Sequence, residues 1–140
     1  MQAVIFRLQH DEYALNVTAV SEVVRMVALT PLPDAPEWIA GVVNLRGHVI
    51  PVIDLRRRLH LSVQPPDRNT SILIVQTDAQ CFGMIVDALV EVLDLPAASI
   101  ETITAPTTPR FAIQQLIHLD HRVILLLNPS TLSESIPVIH

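Results

Sequence analysis

A chain of 140 residues with a net charge of −5, half of it hydrophobic and 16% charged, is sized for one domain that buries about 68 to 70% of the surface its unfolded form exposes. That balance excludes disorder, and an acidic chain whose nine basic residues are all arginine lacks the clustered cations a phosphate backbone requires, so nucleic acid is not an expected partner. The longest aliphatic run, residues 123–127, is far below the roughly 20 residues of a membrane span, and the opening MQAVIFRLQHDEY lacks a secretory signal pattern; both predict a cytoplasmic protein without direct membrane insertion.

Alternation of Val4, Phe6 and Leu8 predicts a half-buried strand, turned by residues 9–12 into a second strand beginning Tyr13-Ala14-Leu15. Val17, Val20, Val23 and Val24 then fall at helical spacing, which predicts a short helix carrying Ser21 and Glu22 outward. Strand is expected again over residues 25–32, and Pro31, Pro33 and Pro36 forbid continued helix or central ladder. Trp38 is read as core packing.

Residues 41–59, GVVNLRGHVIPVIDLRRRL, are the stretch around which the rest is organised. Val42, Val43 and Leu45 lead into Arg46-Gly47-His48 and Val49, Ile50, Val52 and Ile53 lead out, the pattern of a hairpin whose glycine takes φ > 0. Asp54 is placed to cap a short helix over residues 55–59. At the tip, Arg46 presents a planar five-donor fork outward, which favours partner contact over solvation. For Glu22 the two readings stay open. Arg56, Arg57 and Arg58 read as a solvated face, with Leu55 and Leu59 forming the buried stripe.

Residues 62–69, with Pro65-Pro66, form a polar connector near the midpoint and predict a division of one domain, residues 1–140, into two subdomains near 62–70. Residues 72–76 and 81–86 predict a second hairpin, with the lone Cys81 as a small strand residue, and residues 89–95 a short helix or turn. YALNVTAVSEV from Tyr13 aligns without a gap over FGMIVDALVEV from Phe82, which sets Glu22 above Glu91. Residues 49–54 with their capped helix likewise answer residues 123–128 followed by Pro129 to Leu132. Two similar units of about five short strands each, with no βαβ rhythm, predict an all-β fold of two small β-barrels sharing a hydrophobic core.

Nothing in the chain has the spacing of catalysis. His118 and His121 straddle a predicted turn, where a metal needs converging imidazoles and a third ligand. Asp87 and Glu91 read as exposed helix charges. No nucleophile elbow, phosphate loop or dinucleotide fingerprint occurs. The chain is therefore not expected to be an enzyme or to hold a metal or cofactor. A small metal-dependent or carboxylate-dependent enzyme using those four residues is the remote alternative.

The succession Phe6-x-Leu8, Tyr13-Ala14-Leu15, Val20-x-Glu22-Val23, Trp38-Ile39-x-Gly41-Val42-Val43-Asn44-Leu45-Arg46-Gly47, Pro51-Val52-Ile53-Asp54-Leu55-Arg56 and Gly83-x-x-Val86-Asp87 resembles the CheW-like domain of bacterial chemotaxis over nearly the whole chain. The resemblance implies two five-stranded SH3-like barrels and a non-catalytic adaptor coupling methyl-accepting chemoreceptors to the histidine kinase CheA. The partners it implies are the regulatory domain of CheA and receptor cytoplasmic tips, the latter in a groove between the barrels, within membrane-associated arrays. By motif it assigns coupling positions to Arg46 and Glu22, surface shaping to Val20 and Gly41, and second-barrel groove positions to Leu89 and Val92. Ile113-Gln114-Gln115-Leu116 and the proline-rich residues 105–110 depart from the family pattern. A type IV pilus, twitching or other non-flagellar pathway is the alternative output.

Overall fold

Four hairpins carry most of the main-chain pairing, in a computed structural model that describes residues 1–102, 112–134 and 136. Strands β1 (Gln2–Leu8) and β2 (Asp11–Asn16) form the first. Strand β3 (Val20–Arg25) precedes the second, β4 (Ile39–Leu45) with β5 (His48–Asp54), and helix α1 (Leu55–Arg58) follows. The third is β6 (Ser71–Gln76) with β7 (Cys81–Val86), followed by β8 (Ala88–Asp94) and β9 (Ile100–Thr102). The fourth is β10 (Ile113–Leu119) with β11 (Arg122–Leu127), and helix α2 (Pro129–Glu134) comes after it.

The strands form a six-stranded sheet, β8-β1-β2-β11-β10-β9, and a five-stranded sheet, β3-β6-β7-β5-β4. These are the two expected SH3-like barrels, one with six strands where five were anticipated. Apart from the extra β9, their orders correspond, and each holds one parallel pair: β2 with β11, in register at Tyr13 and Leu125, and β5 with β7, at Ile53 and Met84. The repeat in the sequence is thus a repeat in topology. The barrels exchange strands, however, because β3 leaves the first hairpin to pair with β6, and β8 leaves the third to pair with β1. The connector after α1 consequently joins two elements of the same five-stranded barrel.

Ala3, Ile5, Ala14, Ile117 and Ile124 fill the six-stranded barrel, and Val52, Ile72, Ile74 and Ile85 the five-stranded one. The largest cluster lies between them, where Phe6, Leu8, Tyr13 and Leu15 meet Ile53, Leu73, Val75, Phe82 and Met84, with the Phe6 and Tyr13 rings stacked at 6.0 Å. Strand β1 is therefore buried on both faces and not half-buried as its alternation suggested: Ile5 points into its own barrel and Phe6 into the shared core.

Three local expectations are corrected. Residues 17–24 hold only a single 3-10 turn, Val17–Ala19, capped by the Asn16 side chain accepting from the Thr18 N–H, and then strand β3. Val20 and Val24 are four apart, a spacing that one face of a strand satisfies as well as a helix does, and β-branched residues favour the strand. Residues 26–32 do not continue that strand; only Thr30 bridges to Val42. Residues 89–95 are not helix or turn but mostly edge strand β8, whose apolar residues face both ways.

Residues 113–116, where the chain departs from the family pattern, enter β10 and pair with β11. Residues 105–110 lie outside the described part.

Candidate functional site

Arg46 and Gly47 occupy the tip of the β4–β5 hairpin, both in the left-handed region at φ 54° and 82°, the combination a two-residue hairpin turn requires. Asn44 Oδ1 accepts from the Gly47 N–H at 3.0 Å and ties the turn. The Arg46 side chain remains 75% exposed while its guanidinium grips Glu22 with both ends of the fork, Nη1 to Oε1 at 3.1 Å and Nη2 to Oε2 at 2.7 Å. That pairing holds the Arg46 guanidinium further above its ordinary pKa, through the hydrogen bonds first and the charge of Glu22 second. Glu22 is 23% exposed and lies on the half-buried side of β3, not outward on a helix. A bulge in the β3–β6 pairing between Val20 and Glu22 displaces Ser21, whose hydroxyl donates to the Ile74 carbonyl at 3.3 Å; such bulges re-aim neighbouring side chains.

The pair lines an open cavity of about 750 Å³ together with Leu45, Ile50, Pro51 and Ile74 of the same barrel and with Ser133, Glu134 and Ile136 at and after α2. Cys81 lines it too, and burial, with the charge of Glu22 second, pushes its thiol pKa up. A thiol shifted that way is a poorer nucleophile at neutral pH.

The other sequence-predicted residues are distributed around this centre. Val20 packs half-buried against the shared core. Gly41, at φ 150°, admits the chain that crosses back to β4: a Cβ there would stand 2.6 Å from the Thr30 carbonyl oxygen. Leu89 and Val92 lie on edge strand β8, 41% and 57% exposed, and neither lines the cavity.

Helix α1 bears out the solvated-face reading for Arg57, which is exposed, and contradicts it for Arg56 and Arg58. Arg56 is only 3% exposed. Its Nε donates to Asp54 Oδ1 at 3.1 Å, and its Nη1 to Asp87 Oδ1 at 3.0 Å and to the Gln64 carbonyl at 2.9 Å. Arg57 bridges to the exposed Glu37 at 2.7 Å, and Arg58 lies 5.1 Å over the ring of Trp38, which packs against the core as expected. Asp54 caps α1 as its position predicted, accepting from the Arg56 N–H. Asp87 and Glu91 are not helix charges: Asp87 joins β7 to β8, and Glu91 receives Arg122 at 3.2 Å. Arg122 also makes a double contact with Glu12, at 2.9 Å each. The repeat that sets Glu22 above Glu91 thus sets one arginine-paired glutamate above another, but it sets His48 and not Arg46 above Arg122, so the sequence held no signal for that arginine. His118 Nε2 lies 2.9 Å from Glu101 Oε2, and among the described residues no three His, Cys, Asp or Glu side chains converge.

A family model described as the CheW-like domain matches residues 2–136. The chain belongs to the CheW-like family. It is 32% identical over 129 residues to the chemotaxis protein CheW of Bacillus subtilis, covering 89% of this chain and 81% of that one. It is 32% identical over 100 residues to the CheW of Rhizobium meliloti, covering 71% of this chain and 64% of that protein, so the match spans less than two thirds of the relative's length. The crystal structure of scaffolding protein TtCheW from Thermoanaerobacter tengcongensis superposes with a TM-score of 0.85 at 36% identity, covering 91% of this chain and 88% of that one. In this CheW-like chain, then, the β4–β5 hairpin lies within the matched residues and carries the exposed arginine that lines the cavity.

Proposed function

We propose that this CheW-like chain is a non-catalytic adaptor that couples chemoreceptors to the histidine kinase CheA in a cytoplasmic, membrane-associated signalling array. The observation that carries the reading is Arg46, exposed at a hairpin tip yet held in one orientation by Glu22 beside an apolar-walled cavity. An arginine whose rotamers are already restricted loses less freedom on binding than a free one. Within this reading Arg46 and Glu22 contact the partner at the rim, and Val20 and Gly41 shape that surface from behind. Leu89 and Val92 offer an apolar edge on the other barrel, to which a second partner can dock independently.

The reading is tested by titrating the protein against the isolated regulatory domain of CheA and against a receptor cytoplasmic tip. Saturable binding to both at micromolar concentration is expected. Binding to neither would remove the reading, and binding to the kinase domain alone would reduce the chain to a kinase-associated module.

A further inference from the structure

The shared apolar core and the exchanged strands β3 and β8 join the two barrels, but apolar burial is itself non-directional and does not alone specify their mutual angle. Among the described residues, polar ties cross the junction at two corners, related by the topological repeat; at one of them Gln9 Nε2 also donates to the Ser62 carbonyl at 3.2 Å. Helix α2, which follows the six-stranded barrel, touches the β6–β7 turn of the other: Thr77 Oγ1 donates to Ser133 Oγ at 3.2 Å and Gln80 Nε2 to the Ser133 carbonyl at 2.9 Å. Helix α1, which follows β5 within the five-stranded barrel, lies at the β1–β2 turn. There the tie is ionic. Arg56, fixed in its own barrel by Asp54, grips Asp87 at the crossover, and Asp87 Oδ2 accepts from the Gln9 main-chain N–H at 2.7 Å. The Asp87 N–H in turn donates to the Arg7 carbonyl at 3.0 Å.

We propose that Asp87, gripped by Arg56, is a positioning residue that fixes the angle between the two barrels. Charge-assisted hydrogen bonds are roughly twice as strong as neutral ones and are directional, so this corner is the pivot and the neutral α2 corner the softer one. Because Ser133 and Glu134 of α2 line the cavity together with Glu22 and Arg46 of the other barrel, the angle held at Asp87 sets the width of that cavity. The effect on partner binding rests on the adaptor reading, whereas the angle itself does not.

Residual dipolar couplings of backbone amides test the proposal without any partner. In the wild type, amides of both barrels fit a single alignment. Asp87→Ala severs the link to Gln9 while leaving Arg56 paired with Asp54, and each barrel should then require its own alignment. Asp87→Asn, which keeps an acceptor for Gln9, should retain the single alignment. A single alignment at the wild-type angle in Asp87→Ala would overturn the proposal. Should Asp87→Ala not fold, hydrogen exchange of the wild type decides: the Gln9 amide is expected to be protected as strongly as those of Ile5 and Phe6, and exchange typical of an open turn would contradict a fixed pivot.

Discussion

At the scale of single residues, Arg46 separates binding from folding. Its guanidinium is largely in water, and at φ 54° alanine pays no more for the backbone than arginine does. Arg46→Ala should therefore melt like the wild type while losing at least about 30-fold in partner affinity, as truncation of a central interface arginine typically does. Arg46→Lys should rescue little, because one ammonium cannot reproduce the fork. Gly41 behaves in the opposite way. A Cβ at φ 150° and 2.6 Å from the Thr30 oxygen has no room, so Gly41→Ala should lower stability by about 1–3 kcal/mol in thermal melts. Any binding defect there would follow from the displaced Thr30–Val42 bridge. Cys81 supplies a chemical readout of the same site. With its thiol pKa raised by burial and by Glu22, alkylation at pH 7.5 should be slower than for a free thiol, and Glu22→Gln should speed it.

At the scale of elements, α1 sets a buried charge beside an exposed one. Removing Arg56 takes from Asp54 and Asp87 the buried cation they share, leaving Asp54 only Arg57 at 3.6 Å, so Arg56→Ala should cost about 3–5 kcal/mol in denaturant unfolding. Arg57→Ala, breaking an exposed bridge to Glu37, should cost no more than about 0.5 kcal/mol. Equal effects would mean that the buried network is not what orders the helix. The sequence made the α1 cap legible because Asp54 follows an unbroken strand, but three consecutive arginines carry no sign of which one turns inward. That depends on Asp87, 31 residues away. Strands β3 and β8 were illegible for a related reason. Both are exchanged edge strands: β3 keeps Glu22 on its half-buried side and Val23 exposed, and β8 leaves Leu89, Val90 and Val92 exposed, so neither shows clean apolar alternation. The hairpins could be read because each pairs with itself across a short turn.

At the scale of the whole molecule, the exchange of β3 and β8 makes the barrels interdependent. A fragment of residues 1–61 contains β3 without β6 and β1 without β8, and the β1–β2 faces would expose the shared core. It should be unfolded alone by circular dichroism and regain β structure only when mixed with residues 62–140. Independent folding of either fragment would contradict the exchanged topology. The internal repeat announced two similar units, yet it could not show which strands each unit lends the other, since pairing across the connector leaves no local mark.

The most direct measurement is receptor-controlled autophosphorylation of CheA in a reconstituted mixture of receptor, kinase and this protein. Adding the wild-type chain should bring kinase activity under receptor control, and the folded Arg46→Ala variant should fail to do so at the same concentration. Receptor control that is equally strong without the chain, or equally strong with Arg46→Ala, would contradict the account of this hairpin as the coupling surface.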